Sequence, residues 1–290
     1  MTPRPLPTFT GPNHTGRLQL DFQPRIIRRD LRVAAVHDIT PRYRRIHLTG
    51  EDLAGFPFAR LAPSDHVKVF FPHPDTGLLV AYRDMGETWE LDGEGEPIHR
   101  DYTVRAWDPV AQILTLDFVL HEHGVAGVWA QGARVGDRLV VNGPSANQLL
   151  PENYPHYLAV GDETALPAIA RIIEEAPAES HVTAVIEVAT AREEQELSGS
   201  AGLDLIWLHR DTAITGAGHL SPLETAVRQI RLPRLDSLFV FAAGETGIMK
   251  PIRRYLRHEV GIPRRQVEVD GYWKRGVADF DHHETDIPED

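Results

Sequence analysis

His156-Tyr157-Leu158-Ala159-Val160-Gly161 runs without a break into Asp162-Glu163-Thr164-Ala165-Leu166-Pro167-Ala168-Ile169-Ala170-Arg171-Ile172-Ile173-Glu174-Glu175. The first part is a short, largely apolar run, which reads as a buried strand. In the second part Leu166, Ile169, Ile172 and Ile173 recur at helical spacing, and Pro167 is tolerated because it stands near the helix start. The stretch is a strand–turn–helix unit, and the grammar of the chain changes there. Downstream, strand runs at 181–189 (HVTAVIEVA), 204–209 (DLIWLH), 237–244 (SLFVFAAG) and 266–269 (QVEV) alternate with helical segments. One helix opens with Ser221-Pro222-Leu223-Glu224, a capping box with proline at the first helical position. Another carries Lys250, Arg253, Arg254 and Arg257 and stops at Gly261-Ile262-Pro263. Strands alternating with helices predict a doubly wound parallel sheet.

Upstream the pattern is different. RVAAVHD (32–38), YRRIHLTG (43–50), HVKVFF (66–71), DYTVRAWD (101–108), ILTLDFVL (113–120) and DRLVVNG (137–143) are short strand runs bounded by Gly, Pro, Asp or Asn. HVKVFF alternates, with Val67, Val69 and Phe71 on one face and His66, Lys68 and Phe70 on the other. Six such runs predict a small antiparallel barrel or sandwich. Residues 74–99 read as a long hairpin or loop, and a short helix is expected from Ala126 to Ala133. The organisation that follows is an irregular arm over 1–25, a barrel over 26–150, an α/β domain over 151–276 and an acidic tail over 277–290.

Composition limits the chemistry. The 290 residues hold 30 basic and 42 acidic side chains, a net charge of −12, which argues against nucleic acid or an anionic membrane as partner. No apolar run approaches the ~20 residues of a membrane span, and Met1 to Phe22 lacks the apolar stretch of a secretory signal, so a cytoplasmic protein is expected. There is no cysteine, which excludes disulfides, thiolate nucleophiles and Cys-ligated metal sites. His121-Glu122-His123 and His282-His283-Glu284 lack the spacing of a helical zinc motif, and no metal is assigned to them.

In Arg100-Asp101-Tyr102-Thr103-Val104-Arg105, a strand sends Arg100, Tyr102 and Val104 one way and Asp101, Thr103 and Arg105 the other. Tyr, Thr and Arg this close together supply the aromatic wall, hydrogen bonds and cations that a flavin requires. An ordinary amphipathic strand has the same pattern. Further on, a small-residue turn opens the helix before Trp129, and free backbone N–H groups there form an anion site.

RDYTVR, DFVLH (117–121), the Gly/Ala turn before Trp129-Ala130, GDETALPAIARI, WLHR, AAGE and GYWKRG together resemble the siderophore-interacting protein family. These are FAD-containing ferric-siderophore reductases of the ferredoxin–NADP reductase superfamily. The resemblance runs from about Ile26 to Gly276. It implies that Arg100, Tyr102, Thr103 and Val104 line the flavin, with Arg105, Asp117, Val119 and His121 continuing the FAD site. Gly127, Val128 and Trp129 would hold its pyrophosphate. Gly161 and Thr164 would form the nucleotide turn, and Gly244 and Glu245 would stand near the nicotinamide. Lys68, Lys274 and Arg275 are the implied substrate cations. No side chain is expected to act as a catalytic acid, base or nucleophile.

Two positions depart from the family pattern. Ser145-Ala146 follows Gly143-Pro144 where a cation is common, and Glu122 follows His121 where glycine is common. Asp162 and Glu163 would repel a dinucleotide phosphate, whereas Arg192 and Arg210, at strand ends, are candidates for a 2′-phosphate. The implied activity is electron transfer from NADPH or NADH, or from a ferredoxin, through FAD to a ferric siderophore, by a monomeric protein. A flavin reductase with another acceptor and a siderophore-binding protein without turnover remain as alternatives.

Overall fold

The structure, a computed structural model, describes residues 12–85, 88–121, 124–212, 220–277 and 280. It divides into two compact units, one built on residues 20–149 and the other on residues 12–19 and 150 onward.

The first unit contains β1 (Gln19–Phe22), β2 (Arg28–Thr40), β3 (Tyr43–Thr49), β4 (His66–Phe71), β5 (Tyr82–Asp84), β6 (Trp89–Leu91), β7 (Ile98–Thr103), β8 (Ala106–Asp108) and β9 (Ile113–Val119). Helix α1 (Val125–Gly132), β10 (Arg138–Asn142) and β11 (Ala146–Leu149) complete it. Seven strands form one antiparallel sheet in the order β7-β4-β10-β2-β3-β9-β8. The sheet curls on itself, because beyond β7 the Arg105 N–H donates to the Thr115 carbonyl at 3.1 Å, reaching β9. Its inner face closes around one core that includes Leu31, Ile46, Val67, Val69, Phe71, Val104, Leu116, Phe118 and Leu139. Alternation along each strand places these residues inside. Ala126, Ala130 and Ala133 add the buried face of α1 to the same core.

The run at 101–108 is two strands rather than one. The backbone turns out of β7 after Thr103, where the Val104 N–H donates to the Asp65 carbonyl at 2.8 Å, and resumes as β8. The expected irregular arm also contains a strand: β1 pairs with β11, and the Gln23 N–H extends the link to the Ser145 carbonyl. Residues 1–11, most of the acidic tail and the His282-His283-Glu284 cluster lie outside the described residues.

The second unit alternates β12 (His156–Asp162), α2 (Leu166–Glu175), β13 (His181–Val188), β14 (Gly202–His209), α3 (Pro222–Gln229), β15 (Leu238–Glu245), α4 (Thr246–Arg254) and β16 (Val267–Trp273). Its five strands are parallel, in the order β14-β13-β12-β15-β16. Strand order reverses between β12 and β15, and in open α/β sheets ligands bind at the carboxyl ends beside such a switch point. The α3 and α4 side chains Leu223, Val227, Met249 and Ile252 share one core with alternate residues of β12 and β15. Ser221 caps α3, its Oγ accepting from the Glu224 N–H at 3.1 Å, while the Glu224 carboxylate pairs with Arg228. Among the described residues no helix is long and apolar enough to cross a membrane.

Candidate functional site

In the barrel unit the site is assembled around Tyr102. Pairing of β4 with β7 sets Tyr102 opposite Val67 and Arg100 opposite Val69, so both lie on the core-facing side of β7. The Tyr102 ring lies 4.3 Å from Phe118, and Phe71 and Phe118 in turn lie 5.5 and 5.9 Å from Trp129 of α1. Burial pushes the Tyr102 phenol well above its usual pKa, so it remains neutral. The aromatic cluster thus connects the expected flavin strand to the expected phosphate helix.

Helix α1 begins at Gly124, which has φ 93° and offers no side-chain cap. The first N–H groups of a helix have no intrahelical acceptor, so this end favours an anion. His121 packs against the same turn: a Cβ on Gly127 would come within 2.9 Å of its ring, and one on Gly124 within 2.8 Å. Gly124 has a positive φ, which favours glycine. At the other end of α1, Arg44 Nη1 donates to the Ala130 and Gln131 carbonyls at 2.9 and 2.6 Å, a cap that sequence alone does not disclose. Uncapped backbone donors, two small residues at the turn and a half-buried aromatic wall fit the pyrophosphate and ring of FAD.

Other expected residues are placed differently. Asp117 has a side chain 2% exposed, and it accepts from Arg45 Nε and Nη2 at 2.7 and 2.8 Å, with Arg105 Nε at 3.8 Å. Asp117 and Arg105 therefore form an internal charge group with Arg45. Val119 ends β9 half-buried opposite Tyr43, and Val128 is exposed on α1. Lys68 has a carboxylate partner. It sits on the outer face of β4, opposite Asp101 in register, and donates to that carboxylate at 2.9 and 3.2 Å. The strand alternation that puts Val67 beside Tyr102 puts Lys68 on the other side of the sheet.

In the α/β unit the organising group is Asp162, 2% exposed at the end of β12. Its Oδ1 accepts from the Thr164 N–H and hydroxyl at 2.9 and 2.5 Å; its Oδ2 accepts from the Glu245 N–H at 2.9 Å and Trp273 Nε1 at 2.8 Å. Four donors thus fix the Asp162 carboxylate in one orientation. Gly244, with φ 149°, must lack a side chain, since a Cβ would come 2.7 Å from the Asp162 carboxylate. Gly161 has the same constraint, with Ala165 and the Ala243 carbonyl both 2.6 Å from a Cβ. Glu245 caps α4 through the Ile248 N–H at 3.0 Å and accepts from the Arg275 N–H at 3.1 Å. Gly161, Thr164, Gly244, Glu245 and Arg275, with its neighbour Lys274, thus gather at one carboxyl edge.

Arg210 is held at that edge by two carboxylates, Glu163 and Glu187, the latter 3.2 Å from Nε. Burial, reinforced by Asp162, pushes the Glu163 carboxyl up to about 7, and burial also raises Glu187. Arg192, in the turn after β13, is exposed.

Residues 32–148 match the family model described as the siderophore-interacting FAD-binding domain, and residues 154–276 match that described as the siderophore-interacting protein. A siderophore utilization protein from T. fusca, solved by crystallography, is 44% identical, with a TM-score of 0.83 over 92% of this chain and 99% of that one. The chain belongs to the siderophore-interacting protein family. Its relatives include the ferric vibriobactin reductase ViuB of Vibrio cholerae, 34% identical over 83% of this chain and 87% of that one. The NADPH-dependent ferric-chelate reductase of Escherichia coli is 32% identical, over 86% of this chain and 96% of its own.

Proposed function

We propose that this protein is an FAD-dependent ferric-siderophore reductase, which oxidises NADPH and reduces the Fe(III) of a siderophore complex to Fe(II). The observation that carries this reading is the barrel that matches an FAD-binding domain, with an uncapped α1 set beside the Tyr102–Phe118–Trp129 cluster. Relatives named for ferric reduction, similar over most of both chains, support the acceptor. Bound there, the flavin supplies the exchange between a two-electron donor and a one-electron metal.

The chain's own residues bind and orient. The first N–H groups of α1 hold the pyrophosphate, Arg100 supplies positive charge, and Tyr102 and Val104 form an apolar wall. At the carboxyl edge of the parallel sheet, Asp162 fixes Thr164, Glu245 and Trp273 in one arrangement for the nicotinamide. With Arg210 occupied by Glu163 and Glu187, Arg192 is the cation that meets a 2′-phosphate. Lys274 and Arg275 carry positive charge for the ferric complex. Ferrous iron binds hydroxamate and catecholate oxygens more weakly than ferric iron, so reduction releases the metal. The protein works as a monomer in the cytoplasm, where NADPH is available, and a ferredoxin is the alternative donor.

The test is an anaerobic visible titration of purified protein. A flavin spectrum that bleaches with NADPH and returns with a ferric siderophore, as a ferrous chelator colours, supports the reading. Bleaching by reduced ferredoxin but not by NADPH would move the donor. A colourless protein that takes up no FAD would overturn it.

A further inference from the structure

Residues 246–265 hold six basic side chains and one acidic one, in a chain with 30 basic and 42 acidic. The excess is concentrated on α4 and the helical turn Tyr255–Glu259 that continues it. Met249, Ile252 and Leu256 face the core, which leaves the opposite side of the helix to solvent. On that side Lys250, Arg254 and Arg257 recur at spacings of four and three residues and form one basic stripe. Lys250 and Arg254 are exposed and Arg257 is half-buried. Among the described residues none of the three forms an ion pair. Glu259, the acidic residue of this stretch, is taken by Arg228 at 2.7 and 2.9 Å. That bond is the main cause of its lowered pKa, and Arg254 adds to it only at longer range. A stripe of like charges repels itself and attracts an anion.

The chain supplies an anion of its own. Residues 279–290 carry Asp279, Asp281, Glu284, Asp286, Glu289 and Asp290, with no lysine or arginine. The root of this run lies beside the stripe. Thr246 Oγ1, in the first turn of α4, donates to the Trp273 carbonyl at 2.9 Å, and the Arg275 N–H donates to Glu245 at 3.1 Å. A rise of 1.5 Å per residue puts Lys250 about 6 Å and Arg257 about 16 Å along the helix from Thr246. Twelve extended residues reach about 40 Å, more than the length of the stripe. Phe280, near the start of the run, is half-buried, so the chain meets other protein atoms there rather than open solvent. Single exposed ion pairs are weak, but a tethered run meets the stripe at a high effective concentration. An untethered anion must instead approach against a net charge of −12.

We propose that the basic stripe of α4 is the docking surface of residues 279–290. The run follows the helix from its start, with Asp279 and Asp281 beside Lys250 and with Glu284 and Asp286 beside Arg254 and Arg257. Held there, it is kept clear of Lys274 and Arg275. The contact does not depend on the reductase reading.

The chain has three lysines, Lys68, Lys250 and Lys274, so zero-length carbodiimide coupling of carboxylates to amines locates the run. On the full-length holoprotein at low salt, peptide mass spectrometry is expected to find Asp279 or Asp281 joined to Lys250 of the same chain. The yield falls as salt is added. Arg254→Glu/Arg257→Glu keeps the Lys250 amine and is expected to lower that yield about tenfold, with the circular dichroism spectrum unchanged. Adding Glu284→Arg/Asp286→Arg to this variant restores the yield, which a damaged helix would not permit. Coupling to Lys274 or Lys68 in place of Lys250, a yield indifferent to salt or to the α4 reversals, or no rescue by the second pair would overturn the proposal. Coupling found only between chains, in a mixture of ¹⁵N-labelled and unlabelled protein, would also overturn it, because the occupant would then be a second copy.

Discussion

Asp162 carries one negative charge and receives four hydrogen bonds, from residues 164, 245 and 273. Asp162→Asn keeps the shape but points an amide donor at groups that are themselves donors, leaving at least one buried N–H unpaired, at about 1–3 kcal/mol. The expected result is a lower denaturation midpoint and a red-shifted Trp273 emission, with a raised KM for NADPH and FAD content unchanged. The neighbouring Glu163 gives a pH signature. Its carboxyl keeps its proton to about pH 7 in the fold but releases it near 4.5 when unfolded. Between those values the native state holds more protons, so stability falls as pH rises through the window, by up to about 3 kcal/mol. Chemical denaturation at several pH values should show this slope in the wild type and its loss in Glu163→Gln. Arg192→Ala should raise the KM for NADPH about tenfold and leave that for NADH unchanged. The sequence exposed the residue types at this edge but not the bonds to Asp162, because two of its four donors, the Glu245 N–H and Trp273 Nε1, come from strands remote in sequence. Arg210 was readable as a strand-end cation, whereas Glu187, its buried partner, looks locally like one more residue of a strand.

At the scale of elements, α1 is a short helix held from both ends. Arg44 on β3 caps its C-terminus, and His121 fills the space that Gly124 and Gly127 leave at its start. Arg44→Ala should remove about 1–2 kcal/mol through the lost charge-assisted bonds and weaken FAD without touching it, so that added FAD restores part of the thermal midpoint. Gly127→Ala should act directly: the new methyl displaces His121, FAD binds at least about tenfold more weakly, and far-ultraviolet circular dichroism stays the same. Local periodicity placed β3, β4, β9, β10 and this helix within about a residue, but it missed β1, β5, β6 and β11 and started β2 four residues late. It assigned Lys68 to the correct face of β4. It could not say that Asp101 stands across from that lysine, because cross-strand register depends on turns and on the shared core rather than on neighbours in sequence. The break between Thr103 and Ala106 was hidden for a related reason. Asp101 to Ala106 alternate through the break, and the chain turns there because Asp65 and Thr115, remote in sequence, accept the Val104 and Arg105 N–H groups.

For the molecule as a whole, each unit has its own apolar core, one centred on Val67, Phe71 and Phe118 and the other on Leu158, Val240 and Ile252. The change of grammar near residue 151 reflects this, because an antiparallel barrel needs alternating strands and a doubly wound sheet needs buried strands separated by helices. Two ligands assigned to two cores should leave separate footprints in amide hydrogen exchange. A ligand that binds only the native state adds RT ln(1 + [L]/Kd) to the cost of opening the segments it touches, about 2.7 kcal/mol at a hundredfold excess over Kd, or roughly hundredfold slower exchange. FAD added to apoprotein should slow exchange at this scale in 98–105 and 125–132 while leaving 156–164 and 238–245 little changed. NADP⁺ added to the holoprotein should do the reverse, with protection confined to the carboxyl ends of β12 and β15 and to the turn at 191–193. If FAD protected the carboxyl edge of the parallel sheet as strongly as the barrel, the assignment of α1 and Tyr102 as the principal flavin contacts would be wrong, because those residues belong to a core that does not include that edge.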